Sequence, residues 1–126
     1  MAKHARRLSV LIVDDDTLMR QALRTILHAG EFDIAGEASN GEDAISQCVK
    51  QKPDVVLLDI NMPRLDGITV LARIRAGLPA CKVIMISSNA TADRVREAMT
   101  GGAAGFIVKP FNAARVVREI KSLLKK

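Results

Sequence analysis

Five short strand-like runs, most of them apolar and each followed by helical spacing, divide this chain from end to end. The first, Leu8 to Val13, stops at Asp14, Asp15 and Asp16. Met19, Ala22, Leu23 and Ile26 then recur at i, i+3, i+4 and i+7, the stripe of an amphipathic helix that ends before Gly30. Phe32 to Glu37 reads as a second strand, and beyond Asn40-Gly41 a second helix spans Glu42 to Gln51. Val55 to Leu58 runs into Asp59, and Leu65 to Arg75 is helical, closed by Gly77 and Pro79. Val83 to Ile86 meets Ser87, Ser88 and Asn89, after which Thr91 can cap a helix through about Thr100. Phe106 to Val108 leads into Lys109-Pro110, and Asn112 can cap a last helix through Leu124.

The third and fourth runs show no in-out alternation, so both of their faces must be covered. Strands of that kind alternating with helices predict an α/β fold: a five-stranded, doubly wound parallel sheet with helices on both faces. The 126 residues suit one domain. We read residues 1–7 as a basic tail and 8–126 as the folded unit. In open sheets of this type the working site lies beyond the carboxyl ends of the strands.

Composition closes off other classes. No apolar stretch approaches the ~20 residues that span a bilayer, and the run after the basic start is too short for a secretory leader; a cytoplasmic location is the expectation. Cys48 and Cys81 have no close partner in the sequence and no metal-ligand spacing, which reads as two buried free thiols. With no Trp or Tyr and three Phe, a stacking platform for single-stranded nucleic acid cannot be assembled. The net charge of +5 is confined to the ends. Residues 1–7 carry +3 and 115–126 carry +4, while 8–114 carry −2. That distribution argues against direct nucleic-acid binding, although Arg115, Arg118 and Lys121 could form a stripe on the last helix.

The strand ends carry the chemistry. The first delivers Asp14, Asp15 and Asp16; the third Asp59 and then Asn61; the fourth Ser87; the fifth Lys109. The fold would bring these to one edge. Packed carboxylates repel one another unless a cation sits among them, and Mg²⁺ suits a site of carboxylates, water and a phosphate group. A carboxylate there can attack phosphorus and form an aspartyl phosphate, aided by a lysine and a hydroxyl placed to neutralise the transferring group. Asp16 is assigned to helix capping, Asp66 before Gly67 to a turn, and Asp54 to a strand entry.

The motifs Leu11-Ile-Val-Asp-Asp15, Leu58-Asp-Ile-Asn-Met-Pro63 with Asp66-Gly67, Ile86-Ser87 and Lys109-Pro-Phe111, in this order and spacing, resemble the response-regulator receiver domains of two-component signalling. The resemblance covers about residues 8–124 and implies a flavodoxin-like fold. It implies Asp59 as phosphoacceptor, Asp15 as a direct Mg²⁺ ligand, Asp14 as a ligand through water, and Asn61 as a ligand through its backbone carbonyl. Ser87 is then the switch hydroxyl, Lys109 the partner of the phosphoryl oxygens, Phe106 the switch aromatic and Pro110 a cis-proline. Asn61 and Asn89 fall where the family tunes phosphate lifetime. The implied partners are a sensor histidine kinase and an output protein that docks on the face of the fourth helix, fifth strand and fifth helix; a homodimer formed on phosphorylation is a further expectation. The implied function is a phosphoacceptor that slowly hydrolyses its own aspartyl phosphate and turns over no external substrate.

Two other readings compete. A receiver segment of a longer DNA-binding transcriptional regulator would carry the same motifs. A phosphatase of the haloacid-dehalogenase kind would need Thr or Val where Leu18 stands, and a cap for which the chain has no room. His4 and His28 are poor phosphodonor candidates, because such a histidine belongs on a partner's helical bundle.

Overall fold

The structure is a computed structural model that describes residues 7–125; His4 and most of the basic tail lie outside it. The chain forms β1 (Ser9–Val13), α1 (Thr17–Ala29), β2 (Asp33–Ala38), α2 (Gly41–Gln51), β3 (Val55–Asp59), α3 (Gly67–Gly77), β4 (Lys82–Ser87), α4 (Ala92–Thr100), β5 (Gly105–Val108) and α5 (Ala113–Ser122). All strand pairings are parallel, in the order β2-β1-β3-β4-β5. The doubly wound α/β sheet expected from the sequence is the observed fold.

Alternate residues of the three central strands feed two separate cores. Val10, Ile12, Val55, Leu57, Ile84 and Ile86 pack with Leu23, Leu27, Val116 and Ile120 of α1 and α5. Leu11, Val13, Val56, Leu58, Val83 and Met85 pack with Ala44, Val70, Leu71, Ile74 and Ala98 of α2, α3 and α4. Both faces of these strands are therefore dry, which is why their sequences are apolar at every position between their ends.

Each α-helix begins on a side-chain cap. Asp16, Asn40, Asp66, Thr91 and Asn112 accept from the backbone N–H of Leu18, Asp43, Thr69, Arg94 and Arg115, at 2.8 to 3.2 Å. Such a cap contributes about 1 kcal/mol to helix stability. Asp66 is thus a cap and not simply a turn residue, and α3 starts at Gly67 instead of Leu65. The last helix is also shorter than its spacing predicts: the α-helical bonds stop at Ser122, and Leu123–Lys125 tighten into a 3₁₀ turn.

Cys48 and Cys81 are free and buried, as their spacing suggests. They are not isolated in space: each side chain acts on the other, which holds the Cys81 thiol below its ordinary range and pushes the Cys48 thiol up. Cys48 lies on α2 and Cys81 just before β4, so a contact across 33 positions had no signal in the sequence.

Candidate phosphoryl-transfer site

The topology gathers the strand-end residues at one edge. Asp14 follows β1, Asp59 and Ser87 are the last residues of β3 and β4, and Lys109 follows β5. Among the described residues, Asp14, Asp59 and Ser87 are the buried polar ones, at 1%, 4% and 0% exposure, whereas Asp15 is exposed. One carboxylate oxygen from each of Asp14, Asp15 and Asp59 lies within 4.8 Å of the other two. The Lys109 ammonium reaches into the cluster, 3.2 Å from Asp14 Oδ2 and 3.8 Å from Asp59 Oδ2.

Local backbone bonds aim these groups. The Asp16 N–H donates to Asp14 Oδ1 at 2.9 Å, and the Asn61 N–H donates to Asp59 Oδ1 at 3.1 Å. Asp59 is held from behind by α3: a Cβ on Gly67 would fall 2.6 Å from Ile60 Cα and 2.8 Å from the Asp59 carbonyl oxygen, so this position needs glycine. The Ser87 hydroxyl accepts from the Asn89 N–H at 2.9 Å and from Asn61 Nδ2 at 3.2 Å, and it donates to the Asn89 carbonyl at 3.3 Å. The Lys109–Pro110 peptide is cis.

Electrostatically the site lacks positive charge. Burial, and then the neighbouring Asp14 charge, push the Asp59 carboxyl up to about 6, with a smaller push from Asp15; Lys109 and the Asn61 N–H pull it down without cancelling them. Three carboxylates facing one ammonium fit a hard divalent cation bound through oxygen.

Asp16, Asp54 and Asp66 are outside the cluster: the first and last cap α1 and α3, and Asp54 accepts from the Ser9 N–H at 2.9 Å at the opposite end of the sheet. Phe106 is half-buried, packed against the α2–α4 core, and its carbonyl accepts from Arg115 Nη2 at 3.1 Å. Arg115 also bonds Glu119 at 3.1 Å. It is therefore committed inside the β5–α5 unit, which removes one member of the basic stripe expected on the last helix. Met99 on α4 and Val108 on β5 are each 45% exposed.

Arg20 is a residue the sequence analysis passed over. Its guanidinium donates to the Asp14 carbonyl at 2.6 Å and to Glu37 Oε1 at 3.2 Å. An arginine on the polar side of an amphipathic helix carries no sequence signal that it reaches back to a strand end.

Residues 10–121 match the family model of the response regulator receiver domain. The chain belongs to that family. Among receiver relatives, the chemotaxis protein CheY of Listeria monocytogenes is 42% identical over 118 residues, covering 94% of this chain and 99% of CheY. The CheX–CheY complex of Borrelia burgdorferi, solved with BeF₃ and Mg²⁺, superposes with a TM-score of 0.91 at 36% identity, over 94% of this chain and 90% of that one. The transcription regulator BvgA of Bordetella pertussis is 34% identical over 91% of this chain, a match that spans 55% of BvgA. The match runs along nearly the whole of CheY at higher identity, so the receiver domain is of the CheY type. Receiver domains are signalling modules of two-component systems and turn over no external substrate. Among the described residues, no helix is long and apolar enough to cross a membrane.

Proposed function

We propose that this receiver domain takes a phosphoryl group on Asp59 from the phosphohistidine of a sensor kinase. The observation that carries the reading is the meeting of three carboxylates within 4.8 Å beside the Lys109 ammonium. The cation would be Mg²⁺, held by Asp15 and Asp59 directly, by the Asn61 backbone carbonyl, and by Asp14 through water; bound there, it neutralises charge on the phosphoryl oxygens.

The transfer uses the chain's own groups as follows. An Asp59 carboxylate oxygen bonds to phosphorus as the P–N bond breaks, and the bond electrons leave with the imidazole, which is then neutral or takes a proton from water. Lys109 turns from Asp14 toward the incoming oxygens. A phosphoryl group adds about −1.5 to −2 charges and three strong acceptors, so Ser87 leaves its bonds with Asn61 and Asn89 to donate to it. Phe106 then moves into the space that Ser87 vacates, changing the α4–β5–α5 face where Met99 and Val108 are exposed. An output protein docks on that face; that a similar receiver, the Borrelia CheY, forms a complex with a second protein, CheX, supports a protein partner. Water later hydrolyses the acyl phosphate slowly, at a rate set by Asn61 and Asn89, and the protein works in the cytoplasm.

Incubation with acetyl phosphate and Mg²⁺ tests the reading by mass spectrometry. Wild type should gain one phosphoryl group, and Asp59→Asn or wild type in chelator should gain none. Equal gain in wild type and Asp59→Asn would refute it.

A further inference from the structure

Asp15 is the exposed member of the acid cluster, so packing cannot be what fixes its position. Its two chain neighbours are both bound by one residue. The Arg20 backbone N–H donates to the Asp16 carbonyl at 3.0 Å, the ordinary first bond of α1. The Arg20 guanidinium folds back and donates to the Asp14 carbonyl at 2.6 Å. Arg20 therefore grips the turn on both sides of Asp15.

The guanidinium is itself held. Its Nε donates to Glu37 Oε1 on β2 at 3.2 Å, and its Nη2 to Thr17 Oγ1 at 3.2 Å. Both ion-pair side chains are largely buried, at 16% and 23% exposure. Arg24 makes a second ion pair with Glu37, and Gln47 Nε2 on α2 donates to the Glu37 carbonyl at 2.6 Å. The chain of contacts runs from α2 through β2 and α1 to the acid turn. A planar guanidinium can make three directed bonds at once; an ammonium cannot span the same set.

We propose that Arg20 is a positioning residue for the cation site, with Glu37 as its anchor: together they set the Asp14–Asp16 turn so that the Asp15 carboxylate meets those of Asp14 and Asp59. The proposal rests on the reading of that cluster as a Mg²⁺ site. Partners that orient metal ligands typically change affinity by about 10–100-fold when removed. The opposite expectation follows from charge alone, because deleting a nearby cation from an acidic site should tighten Mg²⁺.

The test is calorimetric titration of Mg²⁺ into wild type, Arg20→Ala, Arg20→Lys and Glu37→Gln, with amide hydrogen exchange on the metal-free proteins. Arg20→Ala should weaken Mg²⁺ about ten-fold. Arg20→Lys should fail to restore it, and Glu37→Gln should weaken it less but in the same direction. In the metal-free state the Asp16 amide should exchange faster in Arg20→Ala while core amides of β3 and β4 keep their protection. Tighter or unchanged Mg²⁺ binding in a folded Arg20→Ala, or full restoration by Arg20→Lys, would overturn the proposal. Should Arg20→Ala not fold, Glu37→Gln decides, and wild-type affinity there would overturn it equally. Absence of Mg²⁺ binding by wild type would instead sink the cation site itself, whatever the variants do.

Discussion

Asn61 donates its side-chain amide to the hydroxyl of Ser87 across 3.2 Å, joining the ends of β3 and β4. The bond holds a fully buried hydroxyl, the one that the proposed switch would release toward a phosphoryl group. Asn61→Ala removes one of the two donors to Ser87 Oγ. A net hydrogen bond of about 1 kcal/mol makes the resting arrangement roughly five-fold less favoured. Amide resonances of Ser87 and Asn89 in the unmodified variant should therefore shift part-way toward their positions in the BeF₃-treated wild type. Unchanged resonances would show that Asn61 does not hold the hydroxyl.

Asp59 sets a pH dependence with an unusual sign. Its carboxyl is raised from 3.8 to about 6 in the folded state, chiefly by burial. Between these values the folded protein binds more protons than the unfolded chain, so its stability falls as pH rises. The full difference is worth as much as about 3 kcal/mol. In chelator at pH 7.5, Asp59→Asn should be more stable to urea than wild type by about 1–3 kcal/mol. The gap should close below pH 4, and a constant gap would contradict the burial argument.

Lys109 is the counter-charge to Asp14, which is 1% exposed. Replacing it with Met leaves that carboxylate buried without its ammonium, a change that costs about 3 kcal/mol or more in buried pairs. Thermal unfolding of Lys109→Met in chelator should occur well below wild type, and added Mg²⁺ should recover most of the loss. Melting curves at several Mg²⁺ concentrations measure both.

Gly67→Ala places a methyl group 2.6 Å from Ile60 Cα. Backbone has to move, at a cost of about 1–3 kcal/mol. Because the displaced segment ends β3, labelling of Asp59 by acetyl phosphate should slow more than stability falls. Wild-type labelling by a destabilised variant would separate the two effects and show that α3 does not position Asp59.

The fold could be read from the chain because its strands are apolar on both faces: Val55–Leu58 and Val83–Ile86 exclude a half-solvated sheet. Asp14, Asp59, Ser87 and Lys109 were legible as a group because each ends or follows a strand, so topology alone brings them together. Other features depend on side-chain reach, which spacing does not encode. Arg20 turns back to the Asp14 carbonyl, Arg115 is committed to Glu119 and Phe106, and the Cys48–Cys81 contact joins α2 to the start of β4. The start of α3 moved for a related reason: Asp66 takes an extended backbone and gives its side chain to the Thr69 N–H, so the helical spacing that includes Leu65 overstates the helix.

The division of β3 between two cores restricts how this sequence can change. Val56 and Leu58 serve one layer, Val55 and Leu57 the other. Deleting any one residue from Val55–Leu58 would interchange the layers for part of the strand, and would also draw Asp59 back by roughly 3.3 Å and turn it to the opposite face. Insertions and deletions are thus barred from the strand on two grounds at once and are confined to the connections between elements. Point substitution at the strand ends remains open, so relatives can diverge in signalling chemistry while the spacing of their motifs stays the same.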